Sequence, residues 1–348
     1  MEFFKRILSD EEYSTLSRIH YNIAAEYRRF KIPKKNGKFR VIDAPSERLK
    51  RIQEKLLPEF YKLPVHPSAV GFRPDMSITT GALKHLNSKV LLNLDLKNFF
   101  PSCTLYHVTQ LFSWYPNFYA RIHPHLPPLT FKELDLLIVL TTLKGRLPQG
   151  APTSPVLSNL IFRPIDYELA KMAATDNLVY TRYADDLTFS HTDINYDIGK
   201  ITTQVSYVLN KSKFTINWKK FRITRPHRRM EVTGIVINER LSIPKKYVMR
   251  VKARLHQMEK RYNAGEEITE LEKQQVKGQL AWLSIKYPRP KTITNKLKFT
   301  TKWLLKLVKK KPQQRQLIQQ ILVTSKAQTQ IVSRPYWLQR GTEFIKKL

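Results

Sequence analysis

Apolar and polar positions along this chain follow two different periods, and the changes between them mark out its parts. Residues 11–30 place Leu16, Ile19, Ile23 and Tyr27 at spacings of three and four, which predicts a helix. Asn36-Gly37 then punctuates two short extended runs and predicts a β-ribbon closed by a tight turn. Pro45-Ser46 starts a predicted helix through Leu57, with Leu49, Ile52, Leu56 and Leu57 facing inward. Residues 68–87 mix small, polar and turn-forming types around Gly71-Phe72-Arg73-Pro74. The run Val90-Leu91-Leu92-Asn93-Leu94 reads as a central strand buried on both faces, with Asp95 at its C-terminal end.

Phe131 to Leu143 predicts an apolar helix that runs into Leu147-Pro148-Gln149-Gly150-Ala151-Pro152-Thr153-Ser154-Pro155. The prolines and glycine there forbid regular structure and predict a rigid loop. Thr153 or Ser154 is placed to cap the next helix, and Pro155 suits its first turn. Leu157, Leu160, Ile161, Ile165 and Leu169 form that helix's stripe, with Pro164 predicting a kink or early break. Tyr180 to Ser190 predicts a hairpin, rich in aromatic and β-branched residues, with Asp185 and Asp186 at its tip. A helix over 198–209 and strands over Phe214–Trp218 and Glu231–Ile237 follow, with Arg240–Ile243 pairing with the second strand. Beyond residue 244 the pattern becomes helical: Val248, Val251, Leu255, Met258 and Tyr262 form one stripe, and further helices are predicted over 269–286 and 292–322. The fold class is therefore α+β, an α+β body followed by a helical domain.

Composition sharpens this picture. The chain has 348 residues, 42% of them hydrophobic, with 17 Phe, 16 Tyr and 5 Trp, enough to bury a large core. Its 61 Lys and Arg against 28 Asp and Glu leave a net charge of +33, which calls for a polyanionic partner. Residues 198–230 hold nine Lys and Arg and no acid, and residues 273–342 hold sixteen and no acid. A solvated face usually mixes signs, so these stretches favour a phosphate-binding surface. No apolar run is long enough to span a bilayer, the start lacks a signal peptide's apolar core, and no membrane partner is expected. One cysteine, Cys103, excludes an internal disulfide and any multi-Cys zinc site. Nucleic acid and a cytoplasmic location are the expectation.

Candidate chemistry centres on Asp185-Asp186. Two carboxylates at one hairpin tip are either a solvated turn or half of a site for a hard cation such as Mg²⁺. Asp95 changes the balance, because an acid closing a buried strand needs a partner and neighbouring strands would bring it to the hairpin. Two metals about 3.5–4 Å apart, held by shared carboxylates, stabilise both the attacking and leaving oxygens at phosphorus. That chemistry is phosphoryl transfer on a polynucleotide.

The residues then match a family. Lys38 to Ile42 with Pro45, Gly71-Phe72-Arg73, Asp95 through Ser102, Leu147 through Pro155 with Asn159, Tyr183-Ala184-Asp185-Asp186, Lys219-Lys220 and Val232-Thr233-Gly234 occur in one order over about residues 31–300. In this the chain resembles reverse transcriptases, most closely the bacterial retron type. The resemblance implies a right-hand polymerase fold, an antiparallel palm sheet flanked by helices. It implies an N-terminal helical extension over 1–30, fingers and palm over 31–244, a basic helical thumb over 245–312 and a tail over 313–348.

It implies Asp95, Asp185 and Asp186 as catalytic metal ligands, with the Leu96 carbonyl as a further ligand, holding two Mg²⁺ ions for which Mn²⁺ substitutes. Lys220 corresponds to the lysine that protonates the pyrophosphate leaving group. Lys38 and Arg40 correspond to residues that clamp the incoming dNTP; Gln149 and Gly150 lie beside its sugar and the templating base. Phe100 stands at the steric gate against a ribose 2′-hydroxyl. Val232, Thr233, Gly234 and the run Lys309, Lys310, Lys311 are the expected RNA and primer-template contacts.

Of the two retron signatures in this resemblance, Val232-Thr233-Gly234 is intact, while Asn-Ala-x-x-His reads Gly81-Ala82-Leu83-Lys84-His85, so its Asn is lost, and His85 reads equally as a helix-surface histidine. Retron enzymes copy part of a structured noncoding RNA from the 2′-hydroxyl of an internal guanosine. Their product is a branched RNA–DNA hybrid (multicopy single-stranded DNA), and the family is implicated in anti-phage defence with a separate effector protein. Another defence-associated or unclassified bacterial reverse transcriptase, or a catalytically idle RNA-binding scaffold, is the alternative reading. An RNA-dependent RNA polymerase fits less well, given the aromatic at 100.

Overall fold

A computed structural model describes residues 1–34 and 37–283 of the chain. They divide into two compact units at Thr233/Gly234. The first unit opens with α1 (Glu2–Ile7) and α2 (Asp10–Tyr21), the latter started by a reciprocal cap between Ser9 and Glu12. The predicted helix over 11–30 ends early. Asn22 turns the chain through a short 3-10 segment into β1 (Tyr27–Pro33), which pairs antiparallel with β2 (Phe39–Pro45), Pro33 opposite Phe39. Cross-strand pairing overrides the helical spacing at Tyr27, while Ile23 falls in the 3-10 segment.

Ser46 caps α3 (Glu47–Tyr61), which continues through Pro58, beyond the expected end at Leu57. Within the stretch left without regular structure lies α4 (Ile78–Lys84). Then β3 (Val90–Asp95) runs through the interior, buried at every position but Asn93. After α5 (Phe99–Ser102) comes α6 (Leu105–Ile122), which the periodicity did not disclose, and α7 (Phe131–Thr141). The helix α8 (Ser154–Thr175) corrects two expectations. It passes through Pro164 as one 22-residue element, and Thr153 makes no side-chain cap bond, while Ser154 Oγ donates to the Pro148 carbonyl.

The strands β4 (Val179–Tyr183) and β5 (Asp186–His191) form the predicted hairpin. The helix α9 (Ile198–Lys211) packs against α8, and β6 (Arg222–Thr224) completes a four-stranded sheet in the order β4-β5-β3-β6. The expected strand over Phe214–Trp218 makes only one bridge, Leu96 opposite Ile216, because the chain turns at Asn217. The long strand over Glu231–Ile237 is likewise interrupted. It forms β7 (Glu231–Val232) and β8 (Ile235–Val236), separated by Thr233 and Gly234 with positive φ. One large core, from Phe3 to Ile216, lies between this sheet and the helices.

The second unit contains α10 (Lys245–Asn263) and α11 (Glu270–Leu283), packed through Val251, Leu255, Met258, Val276 and Leu283. The expected helix over 292–322, with Lys309, Lys310 and Lys311, lies outside the described residues.

His85 joins elements of the first unit. It is fully buried, with Nδ1 2.7 Å from Ser190 Oγ and Nε2 2.7 Å from Thr181 Oγ1, so it is a core bridge and not a helix-surface residue. Burial, with help from Lys84, pushes its pKa down to about 3. The unfolded chain takes up this proton near pH 6.5 and the folded chain resists it, so stability is present above pH 6.5 and is lost as pH falls toward 3. His85→Gln, whose amide can keep both partners, is expected to flatten thermal stability between pH 6.5 and 4. The wild type should lose up to about 1.4 kcal/mol per pH unit through this group. Parallel melting curves of both proteins check it.

Candidate active site

The sheet register brings the acids together. Asp95 ends β3 directly opposite Asp186, the first residue of β5. Asp185 lies in the turn between β4 and β5, where Tyr183 faces Asp186. Ala184 enters that turn at φ 55, a left-handed conformation that a residue with a Cβ adopts only at a cost. The Leu96 N–H donates to the Asp185 carbonyl at 2.9 Å, tying the backbone of the expected carbonyl ligand to the turn.

Asp95 is only 5% exposed and both its oxygens are engaged. Asn217 Nδ2 donates to Oδ1 at 2.8 Å, and Lys220 Nζ lies 2.6 Å from Oδ2. The Asn217 N–H also donates to the Asp95 carbonyl, and the Lys220 N–H closes the turn onto the Asn217 carbonyl, each at 2.8 Å. Nothing in the sequence alone singles out Asn217. An Asn two residues before Lys219-Lys220 reads only as a turn former until the turn is seen to fold onto Asp95.

Burial raises the pKa of Asp186 to about 6, helped by the charges of Asp185 and Asp95. Asp185 is raised too, by burial and then by Asp95, while Lys220 and Arg40 oppose the shift. Burial lowers the Lys220 pKa, but its bond to Asp95 and the three acid charges outweigh that and hold it above the ordinary lysine value. Among the described residues, no three acid, His or Cys side chains form a finished metal cage. The donor set still fits a divalent cation. It is all hard oxygen, it is crowded enough to repel itself, and one member already holds an ammonium group.

The nucleotide-side candidates also converge. The Asp43 N–H on β2 donates to the Gln149 carbonyl at 3.0 Å. Gly150, at φ 144, lies so near that a Cβ would meet the Asp43 carbonyl oxygen at 2.6 Å. The β-ribbon carrying Lys38 and Arg40 is thereby docked on the proline-rich loop, and the Arg40 charge reaches Asp185. Half-buried Phe100 has its ring centroid 6.1 Å from that of Phe72, which is 6.0 Å from Tyr183. Val232 is buried, and Thr233 and Gly234 form a left-handed turn. Lys309, Lys310 and Lys311 are outside the described residues.

Residues 32–237 match the family model described as reverse transcriptase (RNA-dependent DNA polymerase). The chain belongs to the reverse transcriptase family. Its relatives include the retron Mx65 reverse transcriptase of Myxococcus xanthus, 34% identical over 77% of this chain and 65% of that one. The retron Ec86 reverse transcriptase of Escherichia coli is 33% identical over 70% of this chain and 73% of its own length. The retron Mx162 reverse transcriptase of Myxococcus xanthus is 31% identical over 76% and 59%. The matches thus span just under two thirds of the Myxococcus proteins. They place this chain with the bacterial retron type of the family, and the four-stranded antiparallel sheet with its flanking helices is the palm of the right-hand polymerase fold. The family works with a divalent metal and deoxynucleoside triphosphates. No helix among the described residues is long and apolar enough to cross a membrane.

Because the folded chain holds the Asp186 proton more tightly than the unfolded chain, this group favours folding below pH 4, and that contribution is lost as pH rises through about 6. Without divalent cations, Asp186→Asn is expected to melt above the wild type at pH 8, with the gap closing between pH 6 and 4. Melting temperatures in chelator-treated buffer across that range check the sign.

Proposed function

We propose that this reverse transcriptase is the RNA-directed DNA polymerase of a retron, copying part of a structured noncoding RNA into DNA and leaving a branched RNA–DNA product. One observation carries the reading: Asp95 and Asp186 are register partners across the palm sheet, and Asp185 is stitched to Leu96 beside them. Asp95, Asp185, Asp186 and the Leu96 carbonyl would hold two Mg²⁺ ions, which supply charge stabilisation for in-line displacement of pyrophosphate at the α-phosphorus.

The chain's own residues do the rest. Arg40 and Lys38, on the ribbon docked against Gln149 and Gly150, grip the triphosphate and leave its sugar facing Phe100. The Phe100 ring, backed by Phe72, leaves no room for a 2′-hydroxyl. Lys220 rests on Asp95 as a charged ammonium. Moving from that carboxylate to the leaving pyrophosphate would make it a proton donor in place of a counter-charge. Residues 31–244 serve as fingers and palm, and the basic helices from residue 245 as a thumb that grips duplex backbone by charge and shape. Val232-Thr233-Gly234 and Lys309-Lys310-Lys311 would contact the RNA, and an effector protein would complete a defence role.

Asp185→Asn combined with Asp186→Asn is expected to lower Mg²⁺-dependent dNTP incorporation on an RNA template by at least about 10³-fold, with RNA retention nearly unchanged. Full incorporation by that double variant would remove the catalytic reading. For the retron reading, nucleic acid copurifying with the active enzyme should contain RNA joined covalently to DNA and sensitive to both RNase and DNase. Free RNA alone would point to another reverse transcriptase class.

A further inference from the structure

Among the residues described, Arg182 is a guanidinium with no solvent exposure at all, held by Asp166, which is equally buried. Its Nε and Nη2 bind the two Asp166 oxygens at 2.9 and 2.6 Å, and Tyr180 Oη donates to Asp166 Oδ1 at 2.7 Å. The remaining nitrogen, Nη1, reaches Asn159 Oδ1 at 3.0 Å and the Ala184 carbonyl at 3.1 Å. The guanidinium also lies over the Phe162 ring, 4.5 Å from its centroid.

Packing alone does not account for this arrangement. A buried ion pair is expensive to desolvate, and apolar side chains of the same volume would fill the space at least as well. What an apolar filling lacks is direction, and the two bonds from Nη1 lead towards the proposed site. One ends on Ala184, the left-handed residue that turns the chain into Asp185. The other runs through Asn159, whose Nδ2 donates to the Gly71 carbonyl at 2.8 Å. Gly71 sits so close to the turn that a Cβ would lie 3.0 Å from the Ala184 nitrogen and 3.1 Å from Tyr183 Cγ. Phe72 follows at φ 58, and its ring meets both Phe100 and Tyr183.

We propose that Arg182, Asp166 and Asn159 are positioning residues that set two properties together, the geometry of the metal-binding carboxylates and the stiffness of the aromatic wall that selects the sugar. Helix α8 supplies Asp166 and Asn159 and acts as the rigid mount, while Arg182 and Gly71 carry its position to the turn and the wall. The inference rests on the roles given above to the aspartates and to Phe100.

The test uses the full chain on an RNA template with a DNA primer. Two readouts do not depend on how much enzyme is folded: the Mg²⁺ concentration at half-maximal rate, and the ratio of kcat/KM for a dNTP to that for the matching rNTP. Arg182→Lys is expected to raise the Mg²⁺ requirement about tenfold, the loss typical of a group that supports metal ligands. Asn159→Ala should lower sugar discrimination by about tenfold as well as raising the Mg²⁺ requirement. Tyr180→Phe keeps the ring stacked on Phe189 and removes only the hydroxyl. It should raise the Mg²⁺ requirement about threefold and decides the matter if the other variants do not fold. Val205→Ala, a core change on α9 outside the network, should lower stability and move neither readout.

The proposal is overturned if the folded network variants stay within about twofold of wild type in Mg²⁺ requirement, or if Val205→Ala shifts it as much. Phe100→Ala, measured alongside, separates the two readings. Unchanged discrimination there would place the sugar gate elsewhere, while the Mg²⁺ requirement of Arg182→Lys still judges the network.

Discussion

Repulsion among three carboxylates is the constraint around which this molecule is arranged. Asp95, Asp185 and Asp186 are held together by a strand register and a tight turn, and burial, reinforced by the charge of their acid neighbours, raises the pKa of the hairpin pair. A chain does not crowd acids this way for stability, because each would be better solvated apart. The arrangement makes sense when a cation completes it, and Lys220 is the cation the chain itself supplies to Asp95.

The surrounding fold holds that repulsion in place. The register matters on both faces of β3, since a one-residue slip would carry the part-exposed Asn93 onto the face of Leu92 and Leu94 and separate Asp95 from Asp186. The left-handed Ala184 and the close approach of Gly71 are local costs, and the buried bonds from Arg182 and Asn159 lie where they offset them. Phe72, Asn98 and Ala184, close to the three acids or their aromatic neighbours, have positive φ, as do five other non-glycine residues among those described.

Much of this was legible along the chain. A run as apolar as Val90–Leu94 has no stable place but a sheet interior, and an aromatic, β-branched hairpin has few alternatives to β-structure, so β3, β4, β5 and the three acids could be read directly. Other elements were not legible because their local signal lost to tertiary contacts. Tyr27 fits a helical stripe but is recruited by pairing with Pro45. Pro164 should break a helix, yet α8 is locked on both sides of it by buried residues from Val156 to Ala173. The hydrophobic alternation around Thr215–Ile216 suggests a strand, but the turn at Asn217 leaves it a single bridge.

Residue identity and order carry the chemical reading, because carboxylates, a bulky ring and clustered basic residues keep their character in any fold, and their order along the chain matches one family. Which groups act on one another emerges from how the chain packs. Asn217 and Lys220 meet Asp95 across more than 120 residues, Asn159 reaches Gly71 across 88, and His85 is a buried bridge and not a surface residue. Such partnerships depend on where packed helices and strands place side chains in space, and no local period or spacing encodes that distance.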